Sequence, residues 1–278
     1  VSGTKETKQM KYHRPEQFAE AQKFLAQDGT QPILIHPRMD VEPYPAADAV
    51  VDLSRLNLNY IKHEGDVIRI GAMTTLQDVA DSLVLRTLAR GILPEAASLT
   101  AHLGLRNVST IGGVIENPSS AVDVMLALLA LGVEMLPMIS QAEIKVPRLS
   151  SGGSFTAYTE RDKAIASAAN SVNPATTIRK TQFQTEIKFS CPSSNARASL
   201  ERVARTPKDT PIVAVCMLKD QNATRVAIGG VGIVPTLVNA NDPQSSISPL
   251  ADFRGSVEYQ REMVAVLMKR ALQRISIG

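Results

Sequence analysis

The residues whose types and order promise chemistry lie in one stretch, Arg106-Asn107-Val108-Ser109-Thr110-Ile111-Gly112-Gly113-Val114-Ile115-Glu116-Asn117-Pro118-Ser119-Ser120-Ala121-Val122-Asp123. A glycine pair sits behind a short β-branched run, and polar and turn-forming residues follow before an apolar helix opens near Val122. Lacking a Cβ, Gly112 and Gly113 let backbone N–H groups approach a bulky anion and adopt positive φ. Ser119 or Ser120 can cap the helix, whose N-terminus carries partial positive charge toward the loop. Together these features make a cradle for a phosphate or pyrophosphate. The same glycine pair is also the ordinary mark of a tight turn, and Asp123 at a helix entry is sufficiently explained by the helix dipole.

The elements that must position this stretch follow from periodicity. A helix is expected over Tyr12–Ala26 after a brief extended entry, with Pro15 in its first turn and Phe18, Ala21, Phe24 and Leu25 on one face. Pro32–Ile35 and Ala49–Leu53 read as short strands. Asn57–Ile61 and Val67–Ile70 read as a hairpin about Glu64-Gly65-Asp66. Thr74 or Thr75 caps the next helix, and two helices are expected over Leu76–Arg90 and Pro94–Leu103. The nearly all-apolar Met125–Leu136 reads as a buried helix running into a strand. Strands are expected at Glu143–Val146, Thr176–Arg179, Glu186–Cys191, Thr210–Leu218 and Arg225–Val231, with helices at Ala196–Ala204 and Glu262–Arg274. Small, polar and charged residues over 159–175 mark the expected domain boundary.

Composition narrows the class. The chain has 278 residues, 44% hydrophobic and 21% charged, with a net charge of +3, enough for a substantial core and two domains. No dense Lys/Arg block with interleaved aromatics argues for nucleic acid, and no apolar run is long enough to span a membrane. The polar N-terminal residues do not read as a signal peptide, so a cytoplasmic location is the default expectation. Cys191 and Cys216 are expected as free thiols, and two cysteines cannot hold an iron–sulfur cluster. No histidine has a second ligand at metal spacing.

In several places the chain resembles the FAD-binding (medium) subunit of the molybdenum hydroxylase family, of the carbon monoxide dehydrogenase and xanthine dehydrogenase type. Thr110-Ile111-Gly112-Gly113 and Asn117 match that family's second flavin loop, T-I-G-G-N-x-x-N, with Val114 and Glu116 departing from it. Asn107 and Asp123 keep its flanking pattern, and Ile70 to Leu76 resembles its I-G-A-x-T-T-L segment, which makes Thr74 a candidate flavin contact. Its first flavin loop, A-G-G-T-D, corresponds to His36-Pro37-Arg38-Met39-Asp40, where Asp40 alone is kept and Arg38 offers a charged fork in place of backbone donors. Phe155-Thr156-Ala157-Tyr158, Gly229-Gly230-Val231-Gly232 through Pro235, and the final helix also have counterparts.

The resemblance implies an α+β fold. A two-lobed N-terminal α/β FAD-binding domain spans residues 1–170 (lobes about 1–55 and 56–170), and an antiparallel sheet with helices spans 171–278. It further implies that FAD is held by Arg38, Asp40, Thr74, Asn107, Thr110, Ile111, Gly112, Gly113, Asn117 and Asp123. Electrons would pass from a molybdenum-cofactor subunit through an iron–sulfur subunit to the flavin and on to an external acceptor. Two alternatives stand beside it: a structural subunit of the same complex that has lost its flavin, and a stand-alone flavin oxidase, for which no cluster of His, Tyr and acid stands out.

Overall fold

The chain opens with β1 (Lys11–His13), α1 (Phe18–Leu25), β2 (Thr30–Ile33) and β3 (Ala49–Asp52). The three strands form a parallel sheet in the order β1-β3-β2. Pro32 falls on an edge strand, where its missing N–H breaks no central ladder. Ala21 of α1 packs on Val51 and Leu53. The expected first helix begins later than its apolar spacing suggested: Tyr12 and His13 are in a strand, and Pro15 lies in the connection. Proline disfavours the helical region for the residue before it, so Arg14 stays extended and the helix opens only at Phe18. The computed structural model describes residues 10–27, 30–33, 48–137, 184–221, 223–249 and 252–277. Arg38 and Asp40, the expected strands at Glu143–Val146 and Thr176–Arg179, and the aromatic run at Phe155–Tyr158 lie outside the described residues.

A hairpin, β4 (Ile61–Glu64) and β5 (Val67–Gly71), turns at Gly65, which holds the left-handed φ of 59° such a tight turn requires. Then come α2 (Leu76–Asp81), α3 (Leu83–Arg86), a 3₁₀ turn, α4 (Ile92–Leu99), α5 (Leu103–Arg106), α6 (Ile111–Glu116) and α7 (Val122–Leu131), followed by strand β6 (Glu134–Pro137). The helix expected over Leu76–Arg90 is thus broken. Ser82 leaves the helical region and caps α3, its Oγ accepting from Leu85 N at 3.3 Å, and Arg90 takes a φ of 62° that no α-helix accommodates. After the residues that are not described, β7 (Gln184–Ser190) pairs with both β5 and β6, giving an antiparallel sheet in the order β4-β5-β7-β6. A strand well past residue 170 therefore pairs with strands from residues 67–71 and 134–137.

The C-terminal sheet is β8 (Arg197–Val203), β9 (Val213–Asp220), β10 (Ala223–Gly229) and β11 (Thr236–Val238), antiparallel throughout and closed by the long helix α8 (Val257–Ile277). Residues 196–204, expected as a helix, form β8 instead. Its side chains alternate between two buried layers, a period-2 use of a segment whose few apolar residues also fit a helical turn. The central strand β9 shows why the sheet is apolar on both sides. Ala214, Cys216 and Leu218 join the core built on α4 and α7, while Val213, Val215 and Met217 join Val264, Leu267 and Ala271 of α8. The sheet is therefore a wall with α7 on one face and α8 on the other. Where α7 begins, Gly229 of β10 lies so close that an added Cβ would stand 2.5 Å from Val122 Cγ1.

Candidate functional site

The motif residues at 72–76 and 109–113, far apart in sequence, are zipped together. Leu76 N donates to Ser109 O (2.9 Å), Ile111 N to Thr74 O (2.9 Å) and Gly112 N to Ala72 O (2.8 Å), with Thr75 bridging Thr110. Thr75 is the cap of α2, in a reciprocal box with Asp78. That leaves Thr74 for another task. Fully buried, its hydroxyl donates to Tyr60 O (3.0 Å) and accepts from Tyr60 N (3.1 Å). Tyr60 is anchored in turn: its hydroxyl donates to Glu186 Oε2 at 2.7 Å, and Arg69 Nη1 reaches Glu186 Oε1 at 2.6 Å. Burial, then the bond to Glu186, pushes the Tyr60 phenol up to about 12.

Thr110 caps α6, its Oγ1 accepting from Gly113 N at 3.1 Å. Gly112 and Gly113 thus sit inside a short helix rather than in a loop ahead of one, and their amides, expected to face an anion, are bonded within the chain. Neither glycine is among the described residues of positive φ. A glycine inside a helix costs about 1 kcal/mol relative to alanine, so backbone freedom is not what this pair supplies. Asn117 closes α6, and its carbonyl accepts from Ser120 N and Oγ. Asn107 ends α5 with its side chain exposed. The serines expected to cap α7 do not: Ala121 holds that position, and Ser119 Oγ instead donates to Ile233 O at 2.9 Å.

Asp123, in the first turn of α7, is buried, and its Oδ2 lies 3.5 Å from Nη1 of Arg202 on β8. Arg202 Nη1 also donates to Pro207 O (2.9 Å), and Nη2 to Asp209 O, so one guanidinium holds both the carboxylate and the loop after β8. Burial raises the Asp123 carboxyl to about 6, against the downward pull of Arg202. Arg202 was missed because its segment read as a helix. The signal was there as alternation, since Ala198, Leu200 and Arg202 share one strand face and a charge on an apolar face implies a buried partner. A second missed contact is Cys191 Sγ, 3.3 Å from His63 Nε2 across the β4–β7 side of the middle sheet. Both cysteines are free, and burial raises the Cys216 thiol far above its ordinary range.

The described residues leave polar side-chain atoms that a bound cofactor could engage. Among the described residues, Ser109 Oγ and Asp123 Oδ1 are buried without a hydrogen-bond partner. Such atoms are rare, and two of them flanking a glycine pair on adjoining elements point to groups satisfied from outside the chain.

These features belong to a known class. Residues 8–150 match the family described as the FAD binding domain in molybdopterin dehydrogenase, and the chain belongs to that family, which indicates FAD as its cofactor. Over nearly its whole length the chain is similar to two medium chains. It is 25% identical to the glyceraldehyde dehydrogenase medium chain of Sulfolobus acidocaldarius (95% of this chain, 98% of that one). It is 23% identical to the carbon monoxide dehydrogenase medium chain of Hydrogenophaga pseudoflava (94% and 95%). The fold is that of the Hydrogenophaga pseudoflava carbon monoxide dehydrogenase structure lacking the Mo-pyranopterin moiety, with a TM-score of 0.72 at 19% identity over 96% of this chain and 97% of that one. It is equally that of quinoline 2-oxidoreductase from Pseudomonas putida 86, with a TM-score of 0.70 at 18% identity and the same coverage. Among the described residues no helix is long and apolar enough to cross a membrane.

Proposed function

We propose that this chain is the flavin-binding electron-transfer subunit of a molybdenum hydroxylase-type oxidoreductase, working in the cytoplasm beside an iron–sulfur subunit and a molybdenum-cofactor subunit. The observation that carries the reading is similarity to medium chains over nearly the whole given sequence, 95% of this chain against 98% of one relative. FAD, when bound, supplies a carrier that takes up electrons and releases them to an external acceptor. The chain's own residues bind and orient. Asp123 Oδ1 would accept from a cofactor hydroxyl, Ser109 Oγ would make a second polar contact, and Gly112 and Gly113 would leave room where side chains would block approach. Thr74 and Thr110 hold the two backbone segments in register beneath them, and Asn107 and Asn117 flank the entry. Arg38 and Asp40 supply the contacts of the opposite lobe. Redox chemistry is thus a property of the complex, with substrate turnover on the molybdenum-cofactor subunit.

One observation favours the alternative of a structural subunit without flavin: the amides of Gly112 and Gly113 are already bonded inside the chain. Titrating the purified chain with FAD separates the two. Saturable quenching of flavin fluorescence at one equivalent is expected, weakened at least tenfold in Gly113→Val with the circular dichroism spectrum retained. A chain that stays colourless and quenches nothing is the structural subunit.

A further inference from the structure

The loop after β8, the turn after β10 and the entry to α7 enclose a cavity of about 260 Å³ that the flavin reading does not use. We propose that it binds a small ring-bearing monocarboxylate, with Arg205 as the anchor. Its floor is apolar, made of Val122, Ile212, Ile233 and Pro235. Its walls are fixed before any ligand arrives: Arg202 holds the carbonyls of Pro207 and Asp209, and Ser119 holds that of Ile233. Preformed walls are what a small ligand needs to bind without ordering a loop.

The two arginines of the lining differ. Arg254 is fully engaged, with Nε and Nη2 each 2.7 Å from Asp252 Oδ2 and Nη1 3.3 Å from Pro211 O. Arg205 meets Asp209 only through Nε, at 3.7 Å, and its two Nη groups have no protein partner among the described residues. Its guanidinium carbon stands 5.8 Å from the ring centroid of Phe253, a phenylalanine 82% exposed on the rim. A free arginine fork beside an uncovered aromatic face, opening on an apolar floor, matches a carboxylate attached to a ring. The carboxylate takes the two Nη donors, and the ring lies against Phe253 and the floor. Charge sets the valence. Asp209 and Asp252 offset the two arginines, so the site holds no surplus positive charge for a dianion, and a single carboxylate is held by the directional Nη bonds of Arg205. A monocarboxylate is therefore favoured over a phosphate dianion. The volume suits one or two rings and is too small for a dinucleotide.

The probe is benzoate, titrated into the full chain and followed by saturation-transfer NMR, with inorganic phosphate and benzyl alcohol as comparisons. Binding with a Kd on the order of 1 mM is expected, with both comparisons at least tenfold weaker. Arg205→Gln should raise the benzoate Kd at least tenfold and Phe253→Ala severalfold. Both side chains are exposed, so unchanged thermal midpoints will show that the variants fold. Absent benzoate binding, equal affinity in wild type and Arg205→Gln, or phosphate binding as tightly as benzoate each overturns the proposal. The titration is repeated on the FAD-saturated chain, where benzoate should remain bound; its displacement would give the cavity to the flavin and refute a separate ligand. Whether FAD binds at all is read from flavin absorbance, and failure there bears on the proposed function alone.

Discussion

Asp123 Oδ2 stands 3.5 Å from Arg202 Nη1 with the two side chains only 4% and 11% exposed, and this pair joins the first turn of α7 to the edge of the C-terminal sheet. It is not an economical way to join two layers of a protein. The distance is long for a charge-assisted hydrogen bond, and Asp123 Oδ1 and Arg202 Nε are both buried without partners among the described residues. Desolvation therefore outweighs attraction, which is what the raised carboxyl records.

The cost has a pH signature. The folded carboxyl sits at about 6, above its ordinary value of 3.8. A raised folded value means that the stabilising preference for the protonated form is complete below the unfolded value and is lost as pH rises through about 6. Relative to Asp123→Asn, the wild type should lose up to about 3 kcal/mol between pH 4 and pH 7, at about 1.36 kcal/mol per unit. Urea midpoints of both proteins across that range check it, and a difference independent of pH would contradict the buried, raised carboxyl.

Removing Arg202 should hurt more than removing Asp123. Arg202→Met leaves a carboxylate buried without its counter-charge and releases the carbonyls of Pro207 and Asp209. A loss of about 3–5 kcal/mol at pH 7 is expected. Adding Asp123→Leu to that variant should restore much of it, and a double-mutant cycle from denaturant unfolding measures the coupling.

Thr74 and Thr110 should prove dissimilar. Thr110→Val removes the cap on Gly113 N, at about 1 kcal/mol. Thr74→Val leaves Tyr60 N without the side-chain oxygen it donates to, and Tyr60 O with the bond from Gly71 N, at about 1–3 kcal/mol, while Thr74→Ser keeps both side-chain bonds. Thermal unfolding of the three variants ranks them.

Gly229 is fixed by contact rather than by conformation. Gly229→Ala places a methyl 2.5 Å from Val122 Cγ1 and should cost about 1–3 kcal/mol, recovered in part by Val122→Ala in the same chain. Additive losses in the double variant would mean that the two elements do not meet as described.

Much of the architecture was legible residue by residue. The hairpin at Gly65, the apolar helix opening at Val122 and the C-terminal helix each carry a local signal strong enough to survive any tertiary context. Family motifs at Ile70–Leu76 and Thr110–Gly113 were equally plain, because they are runs of residues adjacent in the chain. The misses share a cause. Residues 196–204 contain apolar positions compatible with either period, and only the neighbours β9 and α8, which cover its edge and one face, decide for a strand. Leu76–Arg90 has a continuous helical spacing, but Ser82 and Arg90 adopt backbone angles outside the helical region.

By itself the sequence determined the family, the glycine pair, a cap at Thr74 or Thr75 and the hairpin at Gly65, since each depends on residues within a few positions of one another. Only the tertiary structure decided what those residues do: that the glycine amides bond to Ala72 and Thr110, that Thr74 serves Tyr60, and that Asp123 faces Arg202. Each of those outcomes is a contact between segments distant along the chain. Local propensity cannot encode such a partner, because its identity depends on which buried polar groups the packed layers bring within reach.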